Sequence, residues 1–88
     1  MDKTTLDGNA AGGILREVFL FEMTLAEGAC AHCGATNAIG ATTAYMSGMG
    51  TVLRCPSCEH VLIRIVSTKG SYWLDMQGVR ALHIKPEL

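Results

Sequence analysis

The stretch that decides the fold runs from residue 30 to residue 58 and reads CAHCGATNAIGATTAYMSGMGTVLRCPSC. It begins and ends with a Cys-x-x-Cys pair, and residues 34–54 separate the two pairs. Two residues between cysteines let both sulfurs of a tight turn face one point. Two such turns, brought together by two strands and a turn, place four sulfurs at the corners of a tetrahedron, which zinc prefers in structural sites. The sequence therefore predicts one structural zinc ion held by Cys30, Cys33, Cys55 and Cys58.

The same four cysteines also fit two other roles. An iron site of the rubredoxin type uses similar turns and four thiolates, and a single Cys-x-x-Cys pair can act as a redox dithiol or disulfide. Redox pairs usually open a helix after a strand, whereas residues 34–37 read GATN. Two pairs also suit a shared ion better than a catalytic dithiol. His60 follows Cys58 closely and could replace a ligand, but four cysteines already complete the site.

The residue after each cysteine pair differs between the two turns. Gly34 follows the first pair, and glycine permits the left-handed backbone that such turns favour. Glu59 holds the matching position after the second pair, so the second turn departs from the usual pattern. Pro56 lies just inside the second pair, where its fixed φ helps to set the turn.

Length and composition favour a small domain that needs a cross-link, either disulfides or a bound metal, to be stable. The chain has 88 residues, enough for one domain with a modest core, and many such domains add disulfides or a metal. Residues 1–23 lack the basic start, unbroken apolar run and cleavage site of a secretory signal. No apolar run approaches the roughly 20 residues of a membrane span. We therefore expect a cytoplasmic protein without a membrane contact, whose cysteines stay reduced and bind metal.

The charge pattern does not favour nucleic acid. The formal net charge is −1, and the seven basic residues form no run, whereas nucleic-acid-binding modules usually carry a concentrated basic footprint. Tyr72 and Trp73 could stack bases on an exposed sheet, but we expect one of them to pack on the helix instead. Nucleic-acid binding would gain support if three arginines shared one face with Trp73: Arg54, Arg64 and Arg80.

Hydrophobic periodicity predicts an α+β fold. Residues 10–21 place apolar side chains at helical spacing, although Gly12 and Gly13 disfavour a helix, and Asp7 or Asn9 could cap it. We expect this helix to lie against a small antiparallel β-sheet, with the two cysteine turns at one end. The predicted strands cover residues 38–46, 51–54, 60–67, 72–77 and 79–84.

The two motifs, Cys30-x-x-Cys33-Gly34 and Cys55-Pro56-x-Cys58, resemble those of the zinc-ribbon superfamily. Further segments extend the resemblance over most of the chain, to a family of small uncharacterised bacterial proteins: Leu6-Asp7-Gly8-Asn9-Ala10, Glu17-Val18-Phe19, Trp73-Leu74-Asp75 and Gly78. The resemblance implies a single domain, with a helical extension over residues 1–28 and a zinc-ribbon sheet over residues 29–88. It implies no activity, since ribbons serve in transcription, translation, enzymes and protein contacts alike.

These observations predict a non-catalytic structural zinc-binding protein. A catalytic zinc keeps an open coordination position, and four cysteines leave none. We therefore expect no enzyme activity and no catalytic residue. Hydrophobic residues make up 49% of the chain, so apolar surface is left for a protein partner or a homodimer. The alternatives are a nucleic-acid-binding zinc ribbon related to transcription and a Cys-x-x-Cys redox protein.

Overall fold

The computed structural model describes residues 6–20 and 22–85. In that part of the chain there is one α-helix, α1 (Gly12–Val18), and short 3₁₀ turns occupy Gly8–Ala11, Met23–Leu25 and Ile39–Ala41. The eight strands found there are β1 (Leu6–Asp7), β2 (Glu27–Cys30), β3 (Thr36–Ala38), β4 (Thr43–Ser47), β5 (Gly50–Arg54), β6 (Val61–Thr68), β7 (Ser71–Asp75) and β8 (Val79–His83).

The strands form two antiparallel sheets. The larger sheet has the order β1-β4-β5-β6-β7, and the smaller one has the order β3-β2-β8. The α+β class is confirmed, but the prediction of a single sheet is wrong. The chain leaves the larger sheet after β7 and returns as β8 beside β2, which creates the second sheet.

The segment between the cysteine pairs contains more elements than the predicted two strands and a turn. The predicted strand over residues 38–46 is interrupted by the 3₁₀ turn Ile39–Ala41, with β3 before it and β4 after it. This turn carries the chain from the smaller sheet to the larger one. Ile39 and Gly40 are both buried there, so the turn is part of the interior rather than a surface loop.

The predicted N-terminal helix is present in a shorter form. The segment begins as the 3₁₀ turn Gly8–Ala11 and continues as α1, while Phe21 lies outside the described residues. The Asp7 carboxylate accepts a hydrogen bond from the backbone N–H of Asn9 at 3.1 Å, as an N-cap does. The elements that pack most closely on α1 are the turns Gly8–Ala11 and Met23–Leu25 rather than a strand.

A single buried cluster joins the helical segment to both sheets. It contains Leu15 of α1 together with Leu53, Ile63 and Ile65 of the larger sheet, and all four side chains are almost fully buried. Cys30 at the end of β2 belongs to the same cluster. In the described residues no helix is long and apolar enough to cross a bilayer.

Candidate metal centre

The two cysteine turns come from different sheets. The first turn leaves the end of β2, and the chain turns back into β3 of the smaller sheet. The second turn connects β5 to β6 in the larger sheet. The four cysteines therefore meet where the two sheets approach each other, beside the core.

Backbone hydrogen bonds close both turns in the same way. In the first turn, the N–H of Gly34 donates to the Cys30 carbonyl at 3.0 Å, and the N–H of Cys30 donates to the Ala35 carbonyl at 2.8 Å. In the second turn, Glu59 donates to Cys55 at 2.8 Å, and Cys55 donates to His60 at 2.8 Å. Each Cys-x-x-Cys sequence thus forms a local turn closed by its own hydrogen bonds, as the two-residue spacing predicts.

The structure brings all four sulfurs together. The Sγ atoms of Cys30, Cys33, Cys55 and Cys58 all lie within 4.8 Å of one another. Cys30 lies 3.7 Å from Cys58, and Cys33 lies 3.7 Å from Cys55. In a regular tetrahedral site with Zn–S bonds of about 2.3 Å, neighbouring sulfurs lie about 3.8 Å apart. The two sulfurs of a disulfide lie only about 2.05 Å apart. All four cysteines are free, and as a group they could hold a metal ion.

Backbone amides point at the sulfur that leads each turn. The N–H groups of His32 and Cys33 donate to Cys30 Sγ at 3.3 and 3.4 Å, and that of Ser57 donates to Cys55 Sγ at 3.4 Å. The N–H of Cys33, with a smaller contribution from His32, lowers the pKa of the Cys30 thiol to about 6 despite its burial. Both donors favour the thiolate, which is the form that binds a metal.

The pKa values of Cys55 and Cys58 shift in opposite directions. Burial raises the pKa of the Cys55 thiol, but the N–H groups of Cys58 and Ser57 outweigh it, so the net shift is downward. The N–H of His60 acts to lower the pKa of Cys58, but burial and the three neighbouring thiols raise it to about 12. Four thiolates this close repel one another, and a bound cation would remove that penalty.

Burial differs among the four cysteines, and two histidines flank them. Cys30 and Cys55 are buried, whereas Cys33 is exposed. His32 and His60 are both exposed, and their rings stack with centroids 3.5 Å apart and planes 17° apart. The group in the described residues that could hold a metal contains cysteines only, so His60 is not one of its members. The stack instead ties the outer sides of the two turns together, which the sequence spacing did not predict.

The second turn contains a backbone conformation that usually belongs to glycine. Gly34 has a φ of 82°, and Glu59 at the matching position has a φ of 70°. Arg54 supports the second turn because its Nη1 atom donates to the Glu59 carbonyl at 2.9 Å. The departure noticed in the sequence is therefore a site of local backbone strain and not a different turn.

We predict that Glu59→Gly stabilises the protein. A residue with a Cβ is destabilised by about 1–2 kcal/mol in the left-handed region, and glycine avoids this strain. The greater conformational freedom of glycine in the unfolded chain offsets part of the stabilisation. The net increase in the free energy of unfolding should be about 0.5–1 kcal/mol, measured by denaturant unfolding at fixed metal content. Glu59→Ala is the matched control, since it removes the same carboxylate and keeps the strain. Equal stability of the two variants would contradict the interpretation.

Comparison with known protein families gives one match, which covers almost the whole chain. A family model described as a family of unknown function, DUF6510, matches residues 2–87. The chain belongs to DUF6510. No curated protein and no solved structure matches it significantly. The match to DUF6510 and the four-cysteine cluster are compatible with a small zinc-binding domain. Membership of the zinc-ribbon superfamily, and the division at residue 28, stay predictions.

The three arginines whose positions were set as the sequence test for nucleic-acid binding divide between the two sheets of this DUF6510 member. Strand register places Arg64 opposite Val52 and places Val66 opposite Trp73. Because partners across strands share a face, Arg64 lies on the same face as Trp73. Arg54 is on that face too, because it lies two residues after Val52 in β5 and both side chains line the same cleft. Arg80 lies in β8 of the smaller sheet.

Proposed function

We propose that the protein is a non-catalytic module in which one structural zinc ion joins two small sheets. The observation that carries the proposal is the meeting of four free sulfurs, two from a turn of each sheet, within 4.8 Å. The donor set fits zinc, because four thiolates from paired turns form the closed tetrahedral site of structural zinc proteins. When bound, the ion would cross-link the two turns through its four coordination bonds, and it would have no catalytic role because no coordination position stays open.

The residues around the ion have separate roles in this proposal. Cys30, Cys33, Cys55 and Cys58 would supply the four bonds to zinc. The N–H groups of His32 and Ser57 would offset part of the negative charge on the Cys30 and Cys55 thiolates, to which they donate. With all four sulfurs engaged, neither Cys-x-x-Cys pair would be free as a redox dithiol, so zinc ligation and redox activity exclude each other here.

We infer that the folded module makes protein contacts, as a homodimer or with another protein in the bacterial cytoplasm. Several large apolar side chains face solvent, among them Leu20, Met49 and Trp73 at 105%, 84% and 71% exposure. Apolar surface marks an interaction site where such side chains form a contiguous patch, and consecutive exposed residues of this type occur at Tyr72, Trp73 and Leu74. β7, which carries Trp73, is also an outer strand of its sheet, and unpaired strand edges accept further strands. A reducing compartment suits the proposal because thiols stay free there to bind metal.

Charge gives less support to a nucleic-acid-binding role. The condition set by the sequence was that three arginines share one face with Trp73. Arg54 and Arg64 do so, but Arg80 lies in the other sheet. Asp75 lies on the same face opposite Arg64. A polyanion would therefore meet two arginines and at least one acid, which is a weak footprint for nucleic acid.

Metal analysis together with the native mass tests the proposal. The protein is purified without an affinity tag, and its metals are measured by elemental mass spectrometry. We expect one zinc per chain and, after exchange, the visible spectrum of a cobalt(II) tetrathiolate. Iron, or no metal with reversible dithiol oxidation, would overturn the proposal. In the native mass spectrum, a mass twice that of the chain supports the homodimer, and a monomer points to another protein as the partner.

A further inference from the structure

A cleft lies on the outer face of the larger sheet, over β4, β5 and β6. Its volume is about 570 Å³, within the range of roughly 300–1,000 Å³ that small-molecule sites occupy. Apolar side chains form much of its lining, including Met49, Val52 and Val66. The cleft is separate from the four cysteines, none of which contributes to it.

Two arginines supply positive charge to this cleft. Arg54 and Arg64 both line it, and the ion pairs of the described residues involve neither of them. Arg54 is held in place, because its guanidinium lies 5.4 Å from the centre of the Tyr45 ring and donates to the Glu59 carbonyl. An arginine has five N–H donors, so most of those on Arg54 stay available to a ligand.

The balance of charge indicates what the cleft can bind. Glu59 also lines the cleft, so its lining residues, two arginines and one glutamate, leave an excess of one positive charge. Asp75 pairs with Arg64 across the strands on this face but is not among the lining residues. A ligand with one negative charge neutralises that excess, whereas a phosphate monoester with about −1.5 to −2 charges overshoots it. A carboxylate also matches the planar donor fork of arginine, which binds it through two parallel hydrogen bonds.

We propose that this cleft binds a small monocarboxylate with an apolar body. The carboxylate lies between Arg54 and Arg64, and the apolar body lies on Val52, Val66 and Met49. Methionine suits such a surface because its flexible thioether adapts to ligands of different shape. The site goes beyond the proposed zinc module and needs only that the sheet be folded, whichever metal the cysteines hold.

Trp73 provides the readout for a test. It is the single tryptophan of the chain and lies opposite Val66, a lining residue of the cleft. The probe is decanoate, titrated below its micelle-forming concentration into the metal-loaded protein. We expect a saturable change in Trp73 fluorescence, with at least tenfold weaker responses to decanol, which lacks the charge, and to acetate, which lacks the apolar body.

Variants separate a built site from general adsorption. Arg64→Gln and Arg54→Gln should each weaken decanoate binding about tenfold or more, and Met49→Ser should weaken it several-fold. Arg80→Gln in β8 is the matched control and should leave binding unchanged. Equal binding of decanol, an unchanged affinity in both cleft arginine variants, or no saturable response would overturn the proposal. So would tighter, salt-dependent binding of an oligothymidylate, which would assign the face to single-stranded nucleic acid.

The test also stands apart from the metal centre. A chain that carries one zinc but does not bind decanoate would refute the cleft ligand and leave the zinc proposal intact. A chain with another metal that binds decanoate through Arg64 would do the reverse. Metal content is therefore measured on the same samples that are titrated.

Discussion

Replacing Cys55 with serine should leave a chain that no longer unfolds in one cooperative transition. Cys55 is fully buried, and its sulfur lies 3.7 Å from that of Cys33. Structural zinc contributes roughly 10–16 kcal/mol to the folding of small zinc domains, whereas the net stability of a domain is only about 5–15 kcal/mol. Loss of the ion would therefore remove most or all of the net stability. Thermal and denaturant unfolding followed by circular dichroism, with metal content measured alongside, checks this prediction.

Burial of Cys55 gives serine a second way to destabilise the protein, so a comparison is needed. Cys33 is exposed, and Cys33→Ser removes a sulfur without placing a hydroxyl in the core. If the metal carries the stability, Cys33→Ser should unfold the protein almost as completely as Cys55→Ser does. Ser57→Ala is the matched control, since the backbone N–H that donates to Cys55 is kept. A folded Cys33→Ser protein with its metal still bound would contradict four-cysteine ligation.

Chelation gives the same test without a substitution. Removal of the ion by a strong chelator under reducing conditions should unfold the wild-type chain, and zinc should restore the fold. In the folded, metal-free cluster, burial and the three neighbouring thiols raise the pKa of Cys58 to about 12, and in the unfolded chain cysteine thiols have pKa values of about 8.5. At neutral pH the metal-free sulfurs therefore carry at least one proton in either state. Rebinding of zinc must release it, and metal affinity should therefore fall as the pH is lowered.

The sequence predicted the cysteine cluster because the information for it is local. A Cys-x-x-Cys pair fixes its own turn through short-range hydrogen bonds, such as that from Gly34 to Cys30. Only the approach of the two turns depends on the rest of the chain. Strand positions were also predicted closely where alternation is clear: the predicted strand 60–67 is Val61–Thr68 in the structure.

The pairing of strands could not be predicted in the same way. β1 pairs with β4, and β2 pairs with β8, and these partners are separated by dozens of residues with no local signal. The 3₁₀ turn Ile39–Ala41 was missed for a related reason. Residues 38–46 are rich in residue types that suit strands, but Gly40 is buried against the Asn9 side chain, a contact that depends on the tertiary fold.

The cleft was hidden from the sequence for the same reason. Arg54 and Arg64 stand ten positions apart, and nothing in their spacing says that they line one cavity. The register of β5 against β6 brings them there, because Val52, two positions before Arg54, pairs with Arg64. The sequence named these two arginines, with Arg80, only as residues that decide between protein contacts and nucleic-acid binding, and it could not place them.

Gly78→Ala should destabilise the protein by about 3 kcal/mol, near the upper end of the usual cost of overpacking. Gly78 lies in the loop between β7 and β8, where the chain passes from one sheet to the other. A Cβ added there would overlap the Val61 carbonyl and would lie 2.6 Å from the Leu62 Cα atom. Both neighbours are backbone atoms of β6, so they cannot turn aside as a side chain could. Denaturant unfolding followed by circular dichroism measures the loss.

Gly48→Ala is the matched control for this substitution, because a Cβ at Gly48 meets nothing within 4 Å. It should change stability little, and equal unfolding midpoints for the two variants would refute the close-packing argument. Gly78 also accepts a hydrogen bond from the backbone N–H of Ala31, at 2.8 Å, and Ala31 lies between the first two cysteines. A shift of this loop would pull on the first cysteine turn. Gly78→Ala should therefore release metal to a chelator faster than Gly48→Ala does, which links the crossing between the sheets to the metal centre.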